Sequence, residues 1–128
     1  MDILLDTCTF LWAHLESNRL STVAKQVFRN KEHTLYLSAI SVWEIMVKHK
    51  LGSLQFDESP QDFITRCQEI NQIASLDLQP ADVFYLDTLP SLHRDPFDRM
   101  LICQALNKGL IIMTPDSHIR TYPIRTIW

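Results

Sequence analysis

The chain has 128 residues, 46% of them hydrophobic and 21% charged, with a net charge of −3 at pH 7. This size favours one domain over residues 1–128, and no apolar run is long enough to indicate a membrane span. Two glycines exclude glycine-rich phosphate loops, and the negative charge argues mildly against nucleic-acid binding through bulk positive charge. Three widely spaced cysteines without a C-x-x-C pair indicate neither a zinc site nor a disulfide framework, so we expect a reducing, cytoplasmic setting.

Apolar spacing and turn residues predict strands that alternate with helices. In chain order we expect a strand at 2–6, helical turns at 10–14 and 20–29, a strand at 34–38, a helix at 41–51, a helix from Pro60, a strand at 73–78, a helix from Pro80, a helix at 95–108 ended by Gly109, a strand at 110–113 and a last strand at 123–128. This alternation predicts an α/β fold, a three-layer α/β/α sandwich around a central, mostly parallel sheet.

Four acidic residues lie where a predicted strand ends or a predicted helix begins: Asp6, Glu44, Asp98 and Asp116. A parallel sheet gathers such positions along one edge, near the carboxyl ends of its strands. Carboxylates collected there would repel one another, and a hard cation between them would relieve the repulsion. The sequence therefore predicts an acidic, cation-binding pocket.

Each acid also has a capping explanation. Asp6 and Asp116 could each cap a helix or turn, a common role for aspartate. Ser41 and Glu44 have the spacing of a capping box, with Ser41 at the N-cap. Against this, the helix that holds Glu44 is apolar on most sides, and a buried carboxylate needs a partner.

Asp95-Pro96-Phe97-Asp98 is a strong helix start, with Asp95 as the N-cap. Asp98 is the better ligand candidate, because Leu101 and Ile102 place its side of the helix toward the core. Asp95 is then a cap or a group that supports the site from behind.

Metal-assisted phosphoryl transfer is the chemistry that needs such a set of carboxylates. Either two ions stabilise the attacking and leaving oxygens, or one ion activates water while a free carboxylate accepts its proton. Thr7 and Ser41 could orient ligands or waters, although residues at helix starts are more often caps. Among the flanking basic residues, Arg99 is the best candidate for a contact with a phosphate backbone, whereas Lys48 and Lys50 fit a solvated helix end.

These residues fall into four motifs: Leu4-Leu5-Asp6-Thr7, Ser38 to Ile45, His93 to Ile102, and Thr114-Pro115-Asp116. With them the chain resembles the PIN-domain family, and within it the VapC-type toxins of toxin–antitoxin pairs, over essentially its whole length. Pro115 departs from the small residue that is frequent at its position.

The resemblance implies an endoribonuclease dependent on Mg²⁺ (or Mn²⁺), with Asp6, Glu44, Asp98 and Asp116 as the catalytic acids. We assign the metal to Asp6, Asp98 and Asp116, with Asp95, Thr7 and Ser41 in support. The resemblance further implies an RNA substrate, a homodimer and a small antitoxin that fills the active-site groove.

Two other hypotheses come from different classes. The chain could be a binding module with a vestigial site, although the presence of all four acids argues against this. It could also be a phosphatase with Asp6 as nucleophile. That chemistry usually wants a second acid two positions on, where this chain has Cys8.

Overall fold

A computed structural model describes all 128 residues as strands alternating with helices. The strands are β1 (Asp2–Leu5), β2 (Thr34–Ser38), β3 (Ala74–Leu76), β4 (Ile111–Met113) and β5 (Thr126–Ile127). The helices are α1 (Thr7–Leu15), α2 (Thr22–Arg29), α3 (Ala39–Lys50), α4 (Pro60–Asn71), α5 (Pro80–Val83) and α6 (Pro96–Lys108), with 3-10 turns at 17–19, 84–87 and 119–121. None of these helices combines the length and the apolar character that crossing a membrane requires.

The five strands form one sheet in the order β3-β2-β1-β4-β5, and every neighbouring pair is parallel. The chain builds outward from β1 through β2 to β3, and then returns to place β4 on the other side of β1. Strand order therefore reverses between β1 and β4, and the crevice at such a reversal is the usual ligand site of an open parallel sheet.

Helices cover both faces of the sheet, which confirms the predicted sandwich and makes the sheet wholly parallel. Successive side chains of a strand point to opposite faces. In β1, Ile3 and Leu5 enter one core cluster together with Phe10 of α1, while Leu4 enters the other with Leu101 of α6. All three β1 side chains are fully buried, so β1 is the centre of the molecule.

Local sequence signals explain most helix ends. Asp95 caps α6, Pro96 occupies its first position, and Gly109 ends it in the left-handed conformation at φ 66°. The predicted start of α3 at Ser41 is wrong. The helix begins at Ala39, because the Ser38 hydroxyl accepts a hydrogen bond from the Ile40 N–H and so caps the helix earlier.

Candidate functional site

Asp6 lies directly after β1, at the reversal of strand order. It caps α1, since one carboxylate oxygen accepts from the Thr9 N–H at 2.8 Å. The other oxygen accepts from the Thr114 hydroxyl at 2.5 Å, which joins the end of β1 to the residue after β4. Asp6 is only 3% exposed, and this burial raises its carboxyl pKa although the hydrogen bonds from Thr114 and Thr9 act in the opposite direction.

Glu44 is a buried acid of α3 with two partners. One carboxylate oxygen accepts from the Thr7 hydroxyl at 2.7 Å, and the other pairs with the Lys48 ammonium at 2.5 Å. Burial alone would lower the pKa of Lys48, but its hydrogen bond to Glu44 and the charge of that carboxylate raise it overall. Glu44 is thus only 4% exposed, and Lys48 of the same helix balances its negative charge.

The capping box predicted for Ser41 and Glu44 is wrong. Because α3 starts at Ala39, Ser41 lies inside the helix, where its hydroxyl is 2.9 Å from that of Thr7. Neither carboxylate oxygen of Glu44 turns back to the start of its own helix. The contacts of both residues instead connect α3 to α1, beside Asp6.

Asp98 lies in the first turn of α6, and the only hydrogen-bond partner of its carboxylate within the protein is His93, whose Nε2 is 3.0 Å away. The Asp95 carboxylate is committed to the helix start, where it accepts from the N–H groups of Phe97 and Asp98. Burial, together with the neighbouring charges of Asp95, Asp6, Glu44 and Asp116, raises the pKa of Asp98 to about 8.

Asp116 follows β4 by three residues and is held in a tight turn. Its backbone N–H donates to the Thr114 hydroxyl at 3.0 Å, and one of its oxygens accepts from the His118 N–H at 2.7 Å. The other oxygen lies 3.5 Å from Nε2 of His93. The imidazole of His93 therefore bridges Asp98 and Asp116.

The pKa shifts of Asp98 and Cys8 indicate which of the predicted acids lie near one another. The negative charges of Asp6, Glu44 and Asp116 all reach Asp98 strongly enough to raise its pKa. Burial and then the charge of Asp6 raise the pKa of the partly buried Cys8 thiol, and the charges of Asp98 and Asp116 add to this shift. The acids therefore act on one another electrostatically at the carboxyl edge of the sheet. The group whose ligating atoms all lie within 4.8 Å of one another is His93, Asp116 and His118, and Asp6, Glu44 and Asp98 are outside that group.

The chemistry of this donor set fits a hard divalent cation. Asp6, Asp98 and Asp116 offer carboxylate oxygens, the ligands that Mg²⁺ and Mn²⁺ accept. Burial raises the pKa of Asp6, and burial together with neighbouring carboxylates raises that of Asp98, so a positive charge among them would stabilise both ionised acids. These three residues thus offer the type of ligand atom that Mg²⁺ or Mn²⁺ needs. That they bind a metal ion stays a prediction.

Arg99 has partners within its own chain. Its guanidinium donates to the Pro90 carbonyl at 3.1 Å and approaches the Tyr122 hydroxyl at 3.4 Å. The same hydroxyl accepts from the N–H groups of Leu92 and His93. Arg99 and Tyr122 therefore hold the 88–95 loop against the start of α6, and the phosphate contact expected for Arg99 stays a prediction beside this structural role.

Four contacts of the site escaped sequence reasoning: the bridging position of His93, the proximity of His118, the Thr114–Asp6 hydrogen bond and the Lys48–Glu44 ion pair. Only the ion pair had a local signal, because its residues are four apart on one helix, the spacing at which side chains meet. The Thr114 hydroxyl bonds to a residue 108 positions away, and nothing in a single sequence indicates that pairing.

A wholly parallel sheet with acids at its carboxyl edge defines an α/β protein with a polar site at its topological switch. The sequence matches the model of the PIN domain over residues 3–124, and the chain belongs to that family. This confirms the family resemblance found from the motifs. No curated protein matches the sequence.

Solved structures share the fold at low sequence identity. A chain of VapBC2 from Rickettsia felis, solved bound to a promoter DNA fragment, has a TM-score of 0.75 at 14% identity, with 99% of this chain and 98% of that chain covered. VapBC-5 from Mycobacterium tuberculosis, a member of a family of toxin–antitoxin systems, has a TM-score of 0.56 at 10% identity, with 98% and 97% covered. The PIN domain endonuclease Utp24 has a TM-score of 0.55 at 13% identity, with 99% and 85% covered.

Proposed function

We propose that this protein is a divalent-metal-dependent endoribonuclease, the toxin of a toxin–antitoxin pair. The observation that carries the proposal is the place of Asp98 at the edge where parallel sheets bind ligands, where burial and the charges of four further acids, Asp95, Asp6, Glu44 and Asp116, raise its pKa. Membership of the PIN domain family and the likeness in fold to an endonuclease and to VapBC proteins support it.

In this proposal Asp6, Asp98 and Asp116 hold Mg²⁺ or Mn²⁺. The cation would supply charge stabilisation at the phosphate and a water of lowered pKa. Asp6 is anchored by Thr9 and Thr114, so it presents a fixed carboxylate. Asp116 is fixed by its turn, and Asp98 by the first turn of α6.

Glu44 is the fourth acid and acts from the α3 side. Its carboxylate is held in position by the Thr7 hydroxyl and by Lys48, and we assign to it the role of orienting an attacking water and accepting its proton. Thr7 and Ser41 support this position by linking α1 to α3.

An RNA strand can approach the site from the open side of the 88–95 loop. A cavity of about 440 Å³ lies there, lined by Leu92, His93, Arg94, Asp95 and His118. Arg94 is exposed at this cavity, so it is a second candidate for a phosphate contact beside Arg99.

The antitoxin would cover the exposed apolar side chains of α3. Trp43 is 58% exposed and packs edge-on against Phe97, one residue before Asp98. Met46 of α3 and Leu51, directly after the end of the helix, are also exposed apolar side chains. A small protein laid on this surface would reach the acidic site, and we expect the complex to contain two copies of this chain.

A cleavage assay with purified protein tests the enzyme directly. Labelled single-stranded RNA should be cut with Mn²⁺ or Mg²⁺, and EDTA should stop the reaction. Glu44→Gln should slow cleavage by at least about 100-fold, because general-base catalysis contributes on that order. The matched control Glu58→Gln, which alters an acid of a surface ion pair away from the site, should cleave normally.

The binding-module hypothesis makes a different prediction. A vestigial site would bind no Mn²⁺ in isothermal titration and would cut no RNA, while the antitoxin would still bind. Binding of Mn²⁺ that is lost in Asp98→Asn supports the enzyme instead.

A further inference from the structure

Two histidines, His93 and His118, lie beside Asp116, and neither belongs to the proposed carboxylate site. Nε2 of His93 is 3.5 Å from one oxygen of Asp116, and Nδ1 of His118 is 3.4 Å from the other. The two imidazole rings stack with centroids 5.1 Å apart. One ligating atom from each of the three residues lies within 4.8 Å of the other two.

These separations are close to those of a ligand shell. Zinc bonds of about 2.0–2.2 Å in a tetrahedron place neighbouring ligand atoms about 3.3–3.5 Å apart. His93 and His118 each meet this spacing with a different oxygen of Asp116, and the three ligating atoms lie within 4.8 Å of one another, so metal binding requires the side chains to draw closer together. We propose that His93, Asp116 and His118 form a binding site for a transition-metal cation of the Zn²⁺ class.

The donor atoms select this class of metal. Imidazole nitrogen suits Zn²⁺ and its neighbours among the transition metals, whereas Mg²⁺ prefers oxygen. Three protein ligands leave a fourth position open, and the cavity at the 88–95 loop gives solvent or a substrate group access to it. The site therefore differs in metal preference from the oxygen-only set of Asp6, Asp98 and Asp116.

Two of the three ligands are held in place before any metal binds. The backbone N–H of His93 donates to the Tyr122 hydroxyl at 2.9 Å, and the backbone N–H of Asp116 donates to the Thr114 hydroxyl at 3.0 Å. The His118 side chain is 67% exposed and is free to adjust. Metal binding through Nε2 of His93 breaks the contact of that atom with Asp98. It also breaks a long contact of 3.4 Å between the Asp95 N–H and Nδ1 of His93.

The consequence for activity rests on the proposed function. Asp116 belongs to both sets of ligands, so a zinc ion held by the two histidines takes it from the carboxylate site. It also removes the hydrogen bond of His93 to Asp98. Zinc should therefore inhibit cleavage that Mn²⁺ supports, which makes the histidine pair a metal-sensing element of the site.

Binding is measured on the full chain by isothermal titration with Zn²⁺. We expect one site in the intact protein and at least tenfold weaker binding in His118→Asn, which alters an exposed side chain. His33→Asn is the matched control, because His33 directly precedes β2, at the end of that strand opposite the site, and lies against the N-terminus. Zinc should also shift the imidazole NMR signals of His93 and His118 and leave those of His14 and His49 in place. Equal zinc affinity in the intact protein and His118→Asn, or shifts confined to other histidines, would overturn the proposal.

The outcome separates this inference from the proposed function. If the chain binds zinc through His118 and cuts no RNA with Mn²⁺, the metal site stands and the nuclease proposal fails. If it cuts RNA and zinc inhibits the intact protein and His118→Asn equally, the nuclease stands and the histidine site is refuted.

Discussion

Asp98→Asn should have opposite effects on the stability of the metal-free and the metal-bound protein. The substitution removes a carboxylate surrounded by other negative charges and keeps an oxygen for His93. Without metal, the variant should therefore be more stable than the intact chain. With Mn²⁺, the variant should lose a ligand and the stabilisation that ligand binding brings.

The size of the first effect follows from the pKa of Asp98. It lies at about 8 in the folded chain, against an ordinary value of 3.8. At pH 7 this difference corresponds to an upper limit of about 4 kcal/mol, since each unit is worth about 1.36 kcal/mol. Water reaches the 16% of the side chain that is exposed, and the amide forms a weaker bond to His93, so we expect a gain of roughly 1–3 kcal/mol.

The effect must also depend on pH with a definite sign. Well below pH 3.8, Asp98 binds its proton in both the folded and the unfolded chain, so the variant and the intact protein should differ little. As pH rises from 4 to 8 the unfolded chain ionises first, and the folded state loses relative stability. The advantage of Asp98→Asn should grow across this range and level off above pH 8.

Thermal unfolding in EDTA and in Mn²⁺ measures both effects. In EDTA at pH 8 the midpoint of Asp98→Asn should be roughly 5–10 °C above that of the intact chain, given a few degrees per kcal/mol for a domain of this size. Mn²⁺ should raise only the intact midpoint. Asp57→Asn is the control at an exposed acid and should follow the intact protein. A variant that is less stable at pH 8 without metal, or that gains as much from Mn²⁺, would refute the reasoning.

Two substitutions test the groups that hold the acids. Thr114→Val keeps the side-chain shape but leaves the buried Asp6 without its 2.5 Å donor, so urea unfolding should show a loss of about 1–3 kcal/mol; an unchanged midpoint would count against that bond. Lys48→Met leaves the buried Glu44 without its ion-pair partner and should lower the free energy of unfolding by about 1–3 kcal/mol at pH 7, whereas Lys50→Met should be neutral. Equal losses in the two lysine variants would contradict the pairing.

The fold could be predicted largely from local patterns. Strand β2 appears over 34–38 as predicted, and α4 and α6 begin at the prolines that signalled them. Errors fell where two signals competed or where pairing limits a strand. Ser38 and Ser41 are both good caps, and the earlier one begins α3. The last strand covers only Thr126–Ile127 of the predicted 123–128, because β5 pairs with β4 over two residues.

The site could be predicted less completely, for a physical reason. An acid after a strand is visible in the sequence, and the topology of a parallel sheet tells where it goes. The partner of that acid is set by tertiary packing, as in the contact of His93 with Asp116. A further complication is that capping and the site share residues, since Asp6 caps α1 and also lies in the acidic cluster. The two explanations that competed for Asp6 in the sequence are therefore compatible in the structure.

The central claim is that the acids at the carboxyl edge cut RNA internally with the help of a divalent cation. The most direct test is cleavage of a circular single-stranded RNA, which only an endonuclease can open. We expect the intact protein to linearise the circle with Mn²⁺, and Asp6→Asn to lose this activity by at least about 1000-fold while remaining folded, on the scale of losing an essential group. A circle that stays closed with the intact protein and Mn²⁺, or that Asp6→Asn opens at the intact rate, would contradict the account.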